Sequence, residues 1–586
     1  MSSFVVQLHG GGTHDVSHVD DVAFRVSTGR LSSRRPGQVR SGGIGFRWAA
    51  IATDGELSDG VDRFIVRDTS PFMVEPPTGQ QPVVSVTVED HGARAVLTRD
   101  RFGAKPLFYV AHRGGWLIAS EAKCLTPFLN GVSVDRDALA ELVRYHWMPG
   151  SGYLDEQITQ VLPGATVWLV PGQPARSTPL ETITFDVARR DAHNESFEWF
   201  CDRTDEAFRS TIRRACKGAG EAAVLLSGGI DSSLLAALAK AEGIPLRAYV
   251  LRYEGYVNPE YDRAIAVSKM LDLPVEEVTV PRNALSTMVP YMVWREERTP
   301  RHANTVALRI LLDACAQRSS VVIHGDGAEA IFGLKDVHRV GQFERRRRIA
   351  MALTGGRKRP RLAKVFAAMP SERARRIAKV LTNDAAEFYR QSRLIEYSPR
   401  ALALLEPLYS GAELGEDIRE LLPSTDALNS DAIHAYQCAT FLQGSLLRID
   451  RHASPLGLSV CLPFCSSEGL AVASVLPFRH KLRNGKGKPI LRALCGRYLP
   501  AEVLAWPKIG FGAPHERWIM DSMSPRWVPE LFRGAEPSRL ARLLPDANLR
   551  TLIALDDHEA HWFAITLELA LRQLEDTRSM GPGVAS

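Results

Sequence analysis

The 586-residue sequence lacks the features that mark several large protein classes. Cysteine is scarce: the 8 residues form no C-x-x-C pair and no cysteine–histidine spacing typical of a zinc site. We therefore expect buried free thiols in a reducing cytoplasm. No apolar run reaches the length of about 18 residues that a membrane-spanning helix needs. The first residues have neither a basic start nor a long apolar core, so they predict a strand and no signal peptide.

A strong charge imbalance is also missing. The net charge of +5 is small for this length and gives no indication of nucleic acid, and the composition is that of a soluble globular protein with two or three domains. Basic side chains concentrate in residues 335–400, which we predict to be an inserted helical region. Such a segment suits an acidic partner, although a solvated face is the alternative. Few aromatic side chains interleave these charges, so we expect no nucleic-acid partner.

One stretch, residues 222–240, predicts a phosphate-binding loop. Residues 222–226 form an apolar run typical of a buried parallel strand, and residues 234–240 are strong helix formers. Between them, Gly228 and Gly229 allow a tight turn, and the helix start offers unpaired N–H groups to an anion. The spacing is not that of a Walker A loop, because the G-x-x-x-x-G-K-[ST] pattern and its lysine are missing.

Residues 227–233 resemble the S-G-G-x-D-S-[ST] loop of ATP pyrophosphatases, which release pyrophosphate and pass AMP to a substrate. The resemblance implies ATP and Mg²⁺ as ligands, with Asp231 holding the metal. Strands that alternate with helices after this loop predict a doubly wound parallel sheet, with ligands at the carboxyl ends of its strands. The residues that we predict to contact the nucleotide are Leu225, Ser227, Gly228, Gly229, Asp231, Ser232, Ser233, Val250 and Gly325, of which Leu225 and Val250 would flank the adenine.

A second segment, residues 324–333, follows a predicted strand and resembles the asparagine synthetase motif S-G-E-G-x-D-E-x-F-G. Glu329 stands at the position of the metal-binding aspartate and is one methylene longer, which implies that it holds Mg²⁺ together with Asp231. Asp326 stands where relatives place the residue nearest the incoming amine. As a carboxylate it could accept a proton from an ammonium nucleophile. The alternative is that Asp326 only caps a turn.

Two later segments extend the resemblance. Residues 506–511 resemble the site at which asparagine and β-lactam synthetases hold a catalytic lysine, which implies that Lys508 stabilises the charge that develops on the acyl-adenylate. Residues 447–466 resemble the R-x-D-R … P-F-L-D segment around the amino-acid pocket of asparagine synthetases. Free aspartate is therefore a doubtful substrate, because four positions of that segment differ: Ser459, Cys461, Cys465 and Ser466.

Residues 1–185 predict a layered domain, because short alternating apolar runs are separated by Gly, Pro and Asp. Residues 99–109 and 119–123 resemble the glutaminase domain of asparagine synthetases, which implies an Ntn-hydrolase-like α/β sandwich, although charges around Asp100 are also expected of a solvated hairpin. Ser2 replaces the nucleophilic cysteine, and the N-G-E-I-Y-N segment is missing. We therefore predict a degenerate domain without glutamine hydrolysis, linked by a polar stretch to a synthetase domain of residues 196–586.

The whole pattern resembles the asparagine synthetase family without its glutaminase cysteine, and predicts an α/β ATP-dependent, AMP-forming amide ligase. Lasso peptide cyclases, which join the amino-terminal amine of a peptide to an Asp or Glu side chain, are the preferred comparison. They would imply a precursor peptide as substrate, with a leader-binding protein and a leader peptidase as partners. The alternatives are a β-lactam synthetase, an ammonia-using amidotransferase, and a pseudoenzyme that binds ATP as an assembly module.

Overall fold

The structure is a computed structural model. It describes residues 3–8, 46–51, 57–59, 63–68, 84–89, 93–178, 195–333, 397–412, 430–483, 486–507, 514–534 and 536–578, with the separate residues 346–347, 349, 361, 365–366, 389–390 and 395. The predicted insertion of residues 335–400 and the predicted linker of residues 188–196 therefore lie largely outside the described residues.

The described amino-terminal residues form strands whose pairings are all antiparallel. These strands are β1 Ser3–Leu8, β2 Phe46–Ile51, β3 Leu57–Asp59, β4 Arg63–Asp68, β5 Val84–Glu89, β6 Arg94–Arg99, β7 Phe108–His112, β8 Gly115–Ala119, β9 Thr159–Gln160, β10 Thr166–Leu169 and β11 Arg176–Ser177. One sheet has the order β2-β1-β8-β7-β9, and the other has the order β11-β10-β6-β5-β4-β3.

The two sheets pack on each other through the side chains that point inward. Along β6 the burial alternates from residue to residue, as expected of a strand with one face in a core. Leu97 of β6 and Ile118 of β8 come from different sheets and belong to one buried cluster. Helix α1 (Arg136–Tyr145) follows, and its start is fixed by the Asp135 carboxylate, which accepts hydrogen bonds from two helical N–H groups. The predicted sandwich is confirmed.

The rest of the chain contains a five-stranded sheet in which every pairing is parallel. Its strands are β12 Ala222–Leu225, β13 Leu246–Tyr253, β14 Val275–Val280, β15 Val321–Ile323 and β16 Ser459–Cys461, and a short hairpin joins β17 Leu482–Arg483 to β18 Lys486–Gly487. The order β14-β13-β12-β15-β16 reverses direction at β12, which confirms the predicted doubly wound sheet. All four residues of β12 are buried, as the apolar run predicted.

Helices connect and cover these strands. They are α2 Phe197–Ala215, α3 Ile230–Ala241, α4 Pro259–Met270, α5 Ala284–Glu296, α6 Thr305–Cys315, α7 Ala328–Ile331, α8 Pro399–Tyr409, α9 Ser430–Gln437, α10 Gln443–Ala453, α11 Ser467–Ser474, α12 Phe478–Lys481, α13 Pro489–Tyr498, α14 Ala501–Ala505, α15 His515–Trp518, α16 Ser524–Phe532, α17 Asp546–Leu552 and α18 His558–Arg578. A π-helical turn, Cys438–Leu442, joins α9 to α10.

The amino-terminal sandwich and the helices of the second part share a buried core. Leu117 and Leu139 from the first part pack in one cluster with Leu285, Trp527 and Phe563 from the second. The Lys105 and Asp450 side chains form a buried ion pair across the same boundary, at 3.1 Å. The two predicted domains are therefore joined by a continuous interior, and the residues at which one ends and the other begins stay a prediction.

Candidate nucleotide and ligase site

The predicted phosphate loop lies at the carboxyl end of β12, where the chain turns into α3. Gly228 has φ +70°, and a Cβ atom there would lie 2.6 Å from the backbone carbonyl carbon of Arg263, so a side chain does not fit. Gly229 precedes the first residue of α3 and offers no side-chain acceptor to the helix. The N–H groups at the start of α3 are therefore available to an anion.

A cleft of about 170 Å³ opens at the carboxyl ends of β12, β13 and β15. The predicted nucleotide residues that line this cleft are Leu225, Ser227, Asp231, Ser232, Val250 and Gly325, and Asp326 lines it as well. Gly228 and Gly229 shape the loop without lining the cleft. The Ser233 side chain is fully buried and does not line the cleft.

The second motif faces the first across this cleft. A Cβ atom on Gly325 would lie 3.7 Å from both the Asp231 Cβ and the Ser232 backbone nitrogen, which shows how closely the two loops approach. Gly327 has φ +95° and begins α7, which carries Glu329. The left-handed turn at Gly327 thus directs Glu329 toward the start of α3.

The predicted metal ligands Asp231 and Glu329 converge on one positive group. The Lys488 Nζ atom lies 2.7 Å from Oδ2 of Asp231, 3.0 Å from its Oδ1, and 3.2 Å from Oε2 of Glu329. Burial alone would lower the pKa of Lys488, but the charges of Asp231 and Glu329 outweigh it and raise that pKa. Two carboxylates gathered around one cation form the oxygen donor set that Mg²⁺ takes, so the residues present fit the metal.

Asp326 is held by a helix from the later part of the chain. Its Oδ2 atom accepts a 2.9 Å hydrogen bond from the Ser445 hydroxyl and lies 3.8 Å from the Arg448 guanidinium. Arg448 in turn donates to Asn304 at 2.9 Å. The carboxylate therefore contacts α10 directly, so it does more than cap a local turn.

His324 stands next to this carboxylate. Its Nδ1 atom accepts a 3.2 Å hydrogen bond from the Asp326 backbone N–H, and a neutral ring that accepts at Nδ1 carries its proton at Nε2. Burial lowers the pKa of His324, the Asp326 charge opposes this shift, and Arg448 adds to it. The ring is thus a neutral hydrogen-bond donor on the wall of the cleft.

Lys508 lies outside the described residues, but the chain just before it is anchored beside the phosphate loop. The Arg263 guanidinium donates a 2.7 Å hydrogen bond to the Pro507 carbonyl and lies over the Trp506 ring at 5.7 Å from its centroid. Arg263 is also the residue whose backbone approaches Gly228. This contact places the segment that leads to Lys508 close to the start of α3.

The positions that differ from the asparagine synthetase pocket bring no charge to the cleft. Cys461 and Cys465 are fully buried, and burial raises the pKa of both thiols well above the usual value. Ser466 caps α11 by accepting the Gly469 N–H at 3.0 Å. All eight cysteines are free and buried, as predicted.

Within the part of the chain that the structure describes, no three His, Cys, Asp or Glu side chains gather into a cluster that could hold a metal ion. Among the helices that the structure describes, none has the length and apolar character needed to cross a membrane.

Sequence reasoning gave no individual role to three residues of this site: Lys488, Ser445 and Arg448. Lys488 was missed because no local pattern indicates that a lysine between β18 and α13 reaches Asp231. Ser445 and Arg448 lie about 120 residues after Asp326 and meet it only through the fold. One signal was present for them: they lie three residues apart on one helix, a spacing that puts both on one face.

Comparisons with known proteins agree with the motifs. The family model described as "Asparagine synthase" matches residues 203–572, which is more than half of the chain. A second model, described as "Glutamine amidotransferase domain", matches residues 84–178.

Two relatives that match about three quarters of this chain are named as asparagine synthetases. An asparagine synthetase [glutamine-hydrolyzing] of Bacillus subtilis is 23% identical over 448 residues, which cover 75% of this chain and 68% of that protein. A putative asparagine synthetase of Mycobacterium bovis is 25% identical over 457 residues, which cover 73% of this chain and 66% of that protein. The chain thus spans about two thirds of the length of these relatives.

A solved structure of NMN synthetase from Francisella tularensis is 18% identical and covers 24% of this chain and 58% of its own, with a TM-score of 0.19. The fold of the second part of the chain is defined by the strand order β14-β13-β12-β15-β16.

Proposed function

Since the chain belongs to the asparagine synthase family, which uses ATP with Mg²⁺ to activate a carboxylate as its adenylate and form a carbon–nitrogen bond, we propose that it adenylates a carboxylate in the cleft above β12, β13 and β15 and joins it to an amine. The observation that carries this proposal is the convergence of Asp231 and Glu329 from the two motifs on one point beside the start of α3. The expected products are an amide, AMP and pyrophosphate.

Different residues of the chain would bind the adenine, the phosphates and the metal. The adenine would lie between Leu225 and Val250, and the phosphates would meet the N–H groups at the start of α3 with the Ser227 and Ser232 hydroxyls. Asp231 and Glu329 would hold Mg²⁺, which shields the charge of the triphosphate. Nucleotide and carboxylate are thereby bound in one cleft, which supplies the entropic advantage of a reaction within a single complex.

The second step requires a proton acceptor beside the amine. The amine nitrogen forms a bond to the acyl carbon, the bond from that carbon to the AMP oxygen breaks, and the amine loses a proton. Asp326 would take that proton; its position on the cleft wall and the hydrogen bond from Ser445 to its carboxylate support this role. Lys508 would stabilise the charge on the reacting acyl group.

For the substrates, we propose a precursor peptide whose amino-terminal amine is joined to one of its own Asp or Glu side chains, as in lasso peptide cyclases. Three features support this reading. Cys461 and Cys465 put neutral, buried groups where asparagine synthetases surround a free amino acid. Ser2 stands in place of the glutaminase cysteine, so the amine would come from elsewhere. The basic segment of residues 335–400 suits an acidic peptide or a partner protein that delivers it.

The test is peptide-dependent release of pyrophosphate by the full chain. Synthetic precursor peptides with an acidic residue at different ring positions would be incubated with ATP and Mg²⁺, and the peptide mass would be followed. The proposal expects AMP, pyrophosphate and a peptide lighter by one water molecule. Release with small β-amino acids would favour a β-lactam synthetase instead, and release with aspartate and ammonia would favour an amidotransferase.

A further inference from the structure

Lys488 lies between the two carboxylates of the proposed magnesium site. Its side chain is only 9% exposed, and its ammonium group contacts both predicted metal ligands. The residue has φ +59°, a left-handed conformation that a lysine adopts only when its surroundings impose it, and it directly precedes Pro489 at the start of α13. Helix α13 packs on α2 and α3, so the base of the side chain is fixed by the core.

The position of this ammonium group has an electrostatic consequence. Asp231 and Glu329 together bring two negative charges, and Lys488 neutralises one of them at direct contact distance. A metal ion that entered between the carboxylates would meet a positive charge within a few ångströms, in a site partly withdrawn from water where such repulsion is weakly screened. A new anion nearby would offer the ammonium group another partner.

We propose that Lys488 acts as a resident counter-cation that keeps the magnesium site closed until the nucleotide arrives. Without nucleotide, the ammonium group occupies the space between Asp231 and Glu329 and opposes metal binding. When the triphosphate binds at the start of α3, its negative charge draws the ammonium group off the carboxylates, and the metal takes its place. Metal and nucleotide therefore bind together. The inference rests on the proposed ATP site, but it concerns binding and needs no carboxylate substrate.

The test is a titration of the full chain with Mn²⁺, followed by electron paramagnetic resonance, with and without the ATP analogue that carries a methylene group between its α- and β-phosphates. In the unmodified protein we expect Mn²⁺ to bind at least about tenfold more tightly when the analogue is present. Lys488→Met should bind Mn²⁺ in the absence of the analogue about tenfold more tightly than the unmodified protein does. Lys488→Arg keeps the charge and should behave as the unmodified protein.

The matched control is Lys240→Met, the same change at a half-exposed lysine near the end of α3, whose Nζ atom donates to the carbonyl of Asp272, a residue that follows α4. It should leave every Mn²⁺ affinity unchanged. The inference is overturned if the unmodified protein binds Mn²⁺ equally well with and without the analogue, or if a folded Lys488→Met protein gains no affinity. Failure of the analogue itself to bind would overturn the proposed ATP site as well, so the two failures are distinguishable.

Discussion

The Lys105 ammonium group lies 3.1 Å from the Asp450 carboxylate, and both side chains are 4% exposed. Lys105 comes from the amino-terminal sandwich, and Asp450 comes from α10, the helix that carries Ser445 and Arg448. A second buried set lies close by, in which Arg451 pairs with Glu121 and Glu297. The motifs that resemble a glutaminase domain, residues 99–109 and 119–123, therefore supply the charges that hold α10 against the sandwich.

Removing Lys105 should destabilise the whole chain. In Lys105→Met the Asp450 carboxylate stays buried without its cation, which costs about 3–5 kcal/mol when one partner of a buried pair is removed. The measurement is the free energy of unfolding from urea titration. Arg94→Met is the control, because Arg94 and Glu89 form an exposed pair whose loss should cost at most about 1 kcal/mol. Equal effects of the two substitutions would contradict the structural role of the buried pair.

Ser445→Ala should slow amide formation and leave adenylation unchanged. The variant loses a hydrogen bond to the Asp326 carboxylate, and bonds to charged groups contribute about 1.5–3 kcal/mol, so we expect a decrease of about tenfold or more in the rate of amine attack. Exchange of labelled pyrophosphate into ATP reports adenylation alone and should keep its rate. Ser474→Ala, on the more exposed helix α11, serves as the control. A decrease in pyrophosphate exchange that matches the decrease in amide formation would count against a role for Ser445 in the second step.

Gly228→Ala should abolish nucleotide binding, whereas Gly243→Ala should not. Both glycines have φ +70°, so both substitutions impose the same backbone strain, of about 1 kcal/mol. Only at Gly228 would the new methyl group overlap the backbone of Arg263; around Gly243 there is open space. Calorimetric titration with ATP measures the difference directly. Retained ATP affinity in a folded Gly228→Ala protein would show that the loop does not need this close approach.

The stability of the protein should decrease below pH 6.5, in part because of His146. Burial lowers the pKa of His146 to about 3, and the Arg301 charge adds to this effect. Between that value and the usual value of about 6.5, the unfolded chain binds one more proton than the folded chain, so the free energy of unfolding falls as the pH falls.

The variant His146→Asn tests this contribution, since asparagine tolerates the left-handed backbone at this position, where φ is +55°. Relative to its own stability at pH 7.5, the variant should lose about 1.4 kcal/mol less than the unmodified protein at pH 5.5. Burial raises the pKa of Asp100 to about 6, which works in the opposite direction in both proteins and cancels in the comparison. If the free energies of unfolding of the two proteins, measured by urea titration, change with pH in the same way, then folding does not lower the pKa of His146.

The sequence allowed the sheet and the phosphate loop to be predicted because both depend on local patterns. The apolar run before Ser227 marks a buried strand, and the strong helix formers after Ser233 mark a helix, so β12 and α3 follow from neighbouring residues. The structure begins α3 earlier than predicted, at Ile230, because a turn of the helix forms on the serines themselves. The orientation of Ser233 toward the core is a consequence of that early start.

Contacts between distant segments could not be predicted in the same way. Lys488 reaches Asp231 across 257 residues of sequence, and Ser445 reaches Asp326 across 119. The charges around Asp100 were equally consistent with a solvated hairpin. Instead the fold buries the neighbouring Arg99. Its guanidinium donates hydrogen bonds to the carbonyls of Lys105, Val161 and Gly103 and thereby stabilises the turn. No periodicity in a single sequence encodes such pairings, since they depend on how the elements pack.

We propose that Asp231 and Glu329 hold the triphosphate so that the bond between the α-phosphorus and the oxygen that bridges to the β-phosphorus is broken. The most direct measurement is the identity of the nucleotide product when the full chain turns over ATP with an accepted substrate. We predict AMP and pyrophosphate as products, with a rate reduced about 100-fold or more in Asp231→Asn and unchanged in the exposed control Asp272→Asn. Formation of ADP and orthophosphate, or undiminished turnover by Asp231→Asn, would contradict it.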